Sequence, residues 1–169
     1  NNKAIVIDTT VPTIAITSST TNVSDGSVTN DTTIALTFTT SESTSNFTAD
    51  DITVTNGSIS SFAGSGTSYT ATFTPTVAGA CTIDVAKDKF TDAASNNNTA
   101  SIQFNWVYDN VGPTIIISST TTGVTDGSSS NDASIALTFT LNESSLDFAS
   151  EDITFSNGTI SSFAGSGTT

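Results

Sequence analysis

The sequence predicts an all-β protein, an antiparallel β-sandwich arranged in tandem repeats. Apolar and polar residues alternate with a period of two along most of the chain, and no apolar stripe has the 3.6-residue spacing of a helix. Clusters of Gly, Ser, Asn and Asp separate the alternating segments, as turns separate short strands. An internal duplication sets the size of the folding unit.

The duplication is clearest in the stretch ISSFAGSGT, which occurs at residues 59–67 and again at residues 160–168. From Pro12 and Pro113 onward the two copies align without a gap to the end of the chain, and 36 of the 57 aligned positions are identical. A period of about 100 residues is the size of one sandwich domain and exceeds that of a solenoid turn. The duplication therefore indicates an array of whole domains.

The same register predicts the domain boundaries. Asp8 aligns with Asp109, so NNKAIVID falls where IQFNWVYD ends the complete unit. We expect residues 1–8 to be the last strand of a preceding repeat, residues 9–109 a complete repeat, and residues 110–169 the N-terminal part of the next, truncated repeat. Half a sandwich leaves its core open and its edges unpaired. We therefore expect the chain to be a segment of a longer repetitive protein.

About seven short strands are predicted for the complete repeat, and each has a defined inward face. The dipeptide Asn56-Gly57 is a strong hairpin signal and predicts a turn. The positions expected to face the core are Ile14, Ile16, Ile34, Leu36, Phe38, Ile52, Val54, Tyr69, Ala71, Phe73, Cys81, Ile83, Val85, Ile102, Phe104, Trp106 and Tyr108.

Composition narrows the possible functions. Sixteen acidic residues against three basic ones give a net charge of −13, which disfavours nucleic acid and anionic lipid as partners and favours divalent cations. Apolar runs long enough to cross a membrane are absent from the sequence. With no histidine and one cysteine, Cys81, we expect neither catalysis nor a disulfide. Asp50 and Asp51 are adjacent, and on a strand they would point to opposite faces and could not share a substrate atom.

Several segments together resemble bacterial Ig-like repeats of large, repetitive surface and adhesin-type proteins. These are D-x-x-x-P-T from Asp8, T-I-x-L-T-F-T-x-S-E, F-T-A-D-D-I-T-V-T-N-G, Y-T-A-T-F-T-P and F-T-D-A-A-S-N-N-N. The resemblance covers essentially the whole chain. It implies an immunoglobulin-like sandwich that serves as a stalk or array segment and is not an enzyme. One departure is Ser95, which stands where the family usually has Gly.

Calcium is the cofactor that we expect, because the loops supply carboxylates, Asn amides and carbonyl groups. In an immunoglobulin-like sandwich the loop after the second strand and the loop before the last strand share one end. Glu42 belongs to the first of these loops, whereas Asp92, Asn96 and Asn98 belong to the second. Asp8, in the linker that enters the repeat, should reach the same end. Asp109 and Glu143 would take the same places at the next junction, and Asp25 and Asp31 could face a junction from the opposite end. Ordinary solvated turn residues are the alternative interpretation.

The predicted function is that of a structural spacer in a long extracellular protein of the cell surface, such as an adhesin stalk, a fibre or a surface layer. Its partners would be neighbouring repeats of the same chain and, in a fibre or layer, identical chains, with interdomain calcium setting the stiffness. Two alternatives stay open. One is a carbohydrate- or protein-binding Ig-like module, and the other is a filament subunit that assembles by exchange of the N-terminal strand NNKAIVI.

Overall fold

The computed structural model describes residues 6–169, which form two compact units, one ending at Asn110 and the other beginning at Val111. The predicted final strand of a preceding repeat, residues 1–8, lies mostly outside the described residues. Its last three residues, Val6 to Asp8, are exposed and do not form a strand. The boundary proposed for that strand stays a prediction.

The described part of the first unit, residues 6–110, contains seven strands and one short 3₁₀ helix, Ala49–Asp51. The alternating segments identified in the sequence form these strands, since a period of two places one set of side chains on one sheet face. The strands are β1 (Ile14–Ser18), β2 (Ser27–Thr29), β3 (Ile34–Thr44), β4 (Ile52–Thr55), β5 (Gly57–Pro75), β6 (Gly79–Val85) and β7 (Phe104–Tyr108).

Two sheets form the predicted sandwich. One sheet has the order β1-β3-β5 and the other has the order β2-β7-β6-β4. Among these seven strands, β2 pairs with β7 in parallel and the other pairings are antiparallel. The fold is thus the all-β sandwich that the sequence predicted, with one parallel pair that the sequence did not indicate.

The core lies between the sheets, and most of the predicted inward positions are confirmed as buried. Ile34, Phe38 and Phe73 are fully buried, and Trp106 packs edge-on against Phe73 with a ring-centroid distance of 4.7 Å. The prediction for Ile102 is wrong, because 88% of this residue is exposed. Strand β7 begins only at Phe104, so the alternation of the strand does not extend back to residue 102.

Two local predictions are corrected by the strand pairing. Asn56, in the left-handed conformation with φ 55°, does not close a hairpin between β4 and β5. Strand β4 pairs with β6 in one sheet and β5 pairs with β3 in the other, so the chain crosses between sheets at this position. Asp50 and Asp51 lie in the 3₁₀ helix and not on a strand, and the Asp51 carboxylate accepts a hydrogen bond from the backbone N–H of Thr48 at 2.9 Å.

The second unit contains a two-stranded sheet and a 3₁₀ helix, Ser150–Asp152. Strand β8 (Ile115–Ser119) pairs with β9 (Leu137–Leu141) in the register that β1 and β3 adopt in the first unit. Ile115 is 43% exposed, whereas its counterpart Ile14 is buried. The strands that cover Ile14 in the first unit have no counterpart among residues 111–169, so the apolar face of this sheet is open.

No helix within residues 6–169 has both the length and the apolar character needed to cross a membrane.

Candidate metal centre

Glu42 lies at the end of the first unit where the chain enters, on the last part of β3. The sequence placed it in a loop, but β3 continues to Thr44. The register between β3 and β5 shifts between Thr39 and Thr44, so Glu42 occupies an irregular stretch of the strand. The Thr40 hydroxyl donates to the Glu42 carbonyl at 2.8 Å, and this bond holds the local backbone.

A neighbouring pair of hydrogen bonds fixes the entering chain beside this stretch. The backbone N–H of Thr13 donates to the Ser41 hydroxyl at 2.9 Å, and the N–H of Ser41 donates to the Thr13 carbonyl at 3.0 Å.

The buried Tyr69 hydroxyl donates to the Thr44 carbonyl at 2.9 Å and fixes the end of β3. Sequence reasoning placed Tyr69 in the core but missed this bond, although a buried tyrosine usually finds a hydrogen-bond partner.

Asp92 lies in the loop between β6 and β7, and only 7% of it is exposed. Its Oδ1 accepts hydrogen bonds from the N–H groups of Ala94 at 2.8 Å and Asn96 at 2.9 Å, and its Oδ2 accepts from the Asn96 side-chain amide at 2.8 Å. These bonds, that of the Asn96 amide foremost, lower the pKa of Asp92. The buried Asp92 is therefore held as a carboxylate.

Asp8 approaches the same place from the segment that precedes β1. Its carboxylate accepts a hydrogen bond from the Thr10 N–H at 3.0 Å, and its carbonyl accepts one from the Asn96 side-chain amide at 3.2 Å. Asn96 therefore contacts both Asp8 and Asp92. It connects the entering segment of the chain to the loop before β7.

The three acidic side chains form a cluster in which one carboxylate oxygen each from Asp8, Glu42 and Asp92 lies within 4.8 Å of the others. Glu42 Oε1 is buried and has no hydrogen-bond partner among the described residues. Desolvation of the Glu42 carboxyl, followed by the negative charges of Asp8 and Asp92, raises its pKa. Within residues 6–169 no lysine forms an ion pair with these carboxylates; the ion pair there joins Lys87 to Asp88.

This arrangement fits a hard divalent cation. Close carboxylates repel one another unless a cation lies between them, and the Glu42 oxygen offers a ligand atom that no donor within residues 6–169 uses. An all-oxygen donor set suits calcium, whereas zinc prefers the imidazole and thiolate ligands that this site lacks. We call Asp8, Glu42 and Asp92 the acidic cluster.

Three other residues that the sequence offered as calcium ligands, Asn98, Asp25 and Asp31, lie outside the acidic cluster. Asn98 does not join the acidic cluster: it is 2% exposed and its side chain bonds four backbone groups, the N–H groups of Lys89 and Phe90 and the carbonyls of Ala86 and Thr99. Asp25 accepts hydrogen bonds from Asn105 on β7, and Asp31 accepts one from Thr29. These residues have structural roles within the first unit.

The counterparts of the cluster in the second repeat are Asp109 and Glu143. The Asp109 N–H donates to the Thr29 carbonyl at 2.9 Å. Glu143 Oε1, like that of Glu42, is buried and lacks a hydrogen-bond partner among the described residues. The Thr114 N–H donates to the Asn142 side chain at 2.6 Å, which repeats the bond between Thr13 and Ser41. The local geometry around Glu42 is therefore reproduced around Glu143.

The sandwich of the first unit and the internal repeat of the sequence are features of tandem immunoglobulin-like domains. The family model described as bacterial Ig-like domain matches residues 8–108 and again residues 109–169, so the chain belongs to this family. Bacterial Ig-like domains occur in surface proteins. Comparison with curated proteins gave no match, and comparison with solved structures gave none either.

Proposed function

We propose that this chain is a spacer segment of a long bacterial surface protein, and that calcium stiffens the joint where the chain enters each repeat. The observation that carries the proposal is that the three residues of the acidic cluster come from different parts of the chain. Asp8 belongs to the entering segment before β1, whereas Glu42 and Asp92 belong to the body of the sandwich. A cation bound by all three would tie the entering segment to the body.

The charge of the cluster supports a cation-dependent joint. Without a cation, three carboxylates at this separation repel one another, and the exposed Asp8 is the member with the greatest freedom to leave. With calcium bound, the repulsion becomes attraction, and Asp8 is held against β3 and the loop before β7. Calcium would supply only this electrostatic bridge, because the hydrogen bonds of Asn96 already position Asp8 and Asp92.

The internal repeat extends the proposal along the array. Asp109 and Glu143 align with Asp8 and Glu42, so each repeat would bring the same two acidic residues to its own joint. An extracellular location suits such a site, because extracellular modules bind calcium at about 0.1–1 mM, near its concentration outside cells. The binding-module and strand-exchange functions stay alternatives, and the burial of Phe38, Phe73 and Trp106 leaves these aromatic rings unable to stack on a glycan.

A calcium titration of the full chain tests the proposal. We expect calorimetry to show binding, and hydrogen exchange measured by NMR to show that calcium slows exchange of the Thr10 and Asn96 amides. The variant E42Q should lose at least about tenfold in affinity, since it removes a charged ligand. The matched control is D50N, which removes an exposed carboxylate outside the cluster. Equal binding by E42Q and D50N, or exchange that calcium leaves unchanged, would contradict the proposal.

A further inference from the structure

We propose that Asn56 and Asn157 are modification sites, at which the side-chain amide converts to a carboxylate without an enzyme. Each asparagine is followed by glycine, Gly57 in the first case and Gly158 in the second, and the two dipeptides occupy equivalent positions of the two repeats. Their surroundings differ. Asn157 therefore reacts in the folded chain, whereas Asn56 is protected until the first repeat opens.

The reaction needs only the asparagine, the backbone nitrogen that follows it, and water. The glycine nitrogen bonds to Cγ of the asparagine, the bond from Cγ to Nδ2 breaks, and Nδ2 leaves as ammonia with the proton that the glycine nitrogen gives up. The resulting succinimide ring takes up water and opens at one of its two C–N bonds. Opening at one bond gives aspartate and opening at the other gives isoaspartate. Glycine favours the attack, because it has no Cβ to obstruct the approach.

Asn56 is held away from this reaction by Val77. Its Nδ2 donates to the Val77 carbonyl at 2.8 Å, and its Oδ1 accepts from the Val77 N–H at 3.2 Å. Nδ2, the atom that must leave, also donates to the sulfur of the buried Cys81 at 3.5 Å. Both ends of the amide are engaged, so Asn56 cannot turn its Cγ toward the next backbone nitrogen without breaking these bonds.

The attacking nitrogen at this first site is restrained as well. Gly57 begins β5 and packs so closely that a Cβ at this position would collide with the Phe73 ring and the Thr74 carbonyl. The carbonyl of Asn56 accepts a hydrogen bond from the Thr76 N–H at 3.1 Å. This bond holds the peptide unit that contains the Gly57 nitrogen, because the peptide unit is planar.

These restraints are not repeated at Asn157 within residues 6–169. Asn157 is exposed and has the same left-handed backbone conformation, with φ 58° compared with 55° at Asn56. Residues 6–169 contain no counterpart of Val77 or Cys81 for its side chain to bond. A Cβ at Gly158 would meet no atom within 4 Å, so its nitrogen has room to move. The two sites share a backbone conformation and differ in packing.

Conversion of Asn56 would hinder the first repeat from closing again. The new carboxylate would present an oxygen to the Val77 carbonyl where Nδ2 now donates, and two acceptors at that distance leave each other without a donor. Isoaspartate would also lengthen the backbone where the chain crosses from one sheet to the other. An opening that lasts long enough for the reaction would thus leave a lasting chemical mark on the repeat.

Peptide mapping by mass spectrometry tests the inference on the full chain, incubated at mildly alkaline pH with a chelator so that calcium has no influence. In the folded chain, we expect aspartate and isoaspartate to form at residue 157 at least about tenfold faster than at residue 56, because two hydrogen bonds must break before Asn56 reacts. In guanidinium chloride the two sites should react at similar rates. Equal rates in the folded chain, or a difference that persists in denaturant, would overturn the inference.

Variants of the neighbouring residues identify the cause. V77P removes the N–H that donates to Asn56 and V77A keeps it, and Val77 is 61% exposed, so neither variant empties the core. We expect V77P to speed the reaction at residue 56 roughly fivefold, the factor for one lost hydrogen bond, and V77A to leave it unchanged. Circular dichroism checks that both variants fold, and equal rates in the two would overturn the role of Val77.

A last variant tests the nucleophile. G158A should slow the reaction at residue 157 strongly, because its Cβ obstructs the approach of the backbone nitrogen. Formation of aspartate without isoaspartate, at a rate that G158A leaves unchanged, would mean direct hydrolysis by water and would overturn the proposed reaction. The comparison between folded and unfolded native chain needs no variant, so the protection of Asn56 is tested even if a variant fails to fold.

Discussion

Glu42 and Asp92 bring carboxylate oxygens within 4.8 Å of each other, although one belongs to β3 and the other to the loop between β6 and β7. Asp92 is surrounded by N–H donors, whereas the buried Oε1 of Glu42 has no partner among the described residues. The surroundings therefore lower the pKa of Asp92 and raise the pKa of Glu42.

Calcium should stabilise the first repeat against unfolding. A ligand that binds only the folded state adds about 1.4 kcal/mol to the free energy of unfolding when its concentration is ten times the dissociation constant. We expect thermal unfolding followed by circular dichroism to shift to higher temperature as calcium rises into the millimolar range. The shift should disappear in D92N and persist in D50N, and an equal shift in both variants would place the cation elsewhere.

Stability without calcium should depend on pH through Glu42. Its pKa is raised above the ordinary value of 4.5 in the folded state, so the protonated form favours folding. This contribution is present below the ordinary pKa and is lost as pH rises through the raised pKa. Denaturant unfolding in the presence of a chelator should show E42Q gaining stability relative to the native chain above that range. A constant difference at every pH would disagree with the raised pKa.

Asp92 should give the opposite dependence at lower pH. Its pKa lies below the ordinary value of 3.8 because of the bonds from Asn96 and neighbouring N–H groups. The stability it contributes is present above the ordinary pKa and is lost as pH falls through the lowered pKa. We expect the acid unfolding of D92N to be less steep than that of the native chain when both are measured in chelator. Curves of identical steepness would show that Asp92 is not a source of the acid sensitivity.

Asn98 should be required for folding of the loop that carries Asp92. Its buried side chain bonds four backbone groups at 2.7–2.9 Å, and truncation leaves those groups without partners. We expect N98A to lower the free energy of unfolding by about 2–4 kcal/mol. Denaturant unfolding measures this loss, with N97A at an exposed neighbour as the control. A loss below about 1 kcal/mol would mean that water replaces these bonds readily.

Ser95 offers a substitution that should stabilise the protein. It adopts φ 72°, in the left-handed region that favours glycine, within the turn from Asp92 to Asn96. We expect S95G to raise the free energy of unfolding by about 0.5–1 kcal/mol, because it relieves this strain. A94G, which has no such strain to relieve, should lower it. Stabilisation by both variants, or by neither, would show that backbone strain at Ser95 is not the cause.

A polypeptide with two complete repeats should respond to calcium in its overall dimensions. If the joint is stiffened by the cation, small-angle scattering should show a longer maximum dimension and a narrower distribution of distances when calcium is added. The double variant E42Q/E143Q should remove this response. An equally extended and narrow distribution with and without calcium would leave the spacer function in place and assign the stiffness to the short linker that contains Pro113.

The strands, most of the core and the repeat could be predicted from the sequence alone. Alternation at Ile34, Leu36 and Phe38 is a local property, because each strand turns every second side chain to one face, and all three residues are buried. The register between the two copies likewise followed from identity along the chain. The acidic and amide residues of the candidate site could be selected by their chemistry and by the ends of the strands on which they fall.

Which residues lie close in space depends on the tertiary structure. The sequence does not state the distance between Asp8, Glu42 and Asp92, because it depends on how the two sheets stack and where the register of β3 shifts. The crossing between sheets at Asn56, the exposure of Ile102 and the parallel pairing of β2 with β7 have the same origin. These three features depend on which strands lie next to one another. In a sandwich, contacts between residues distant in the chain determine that arrangement.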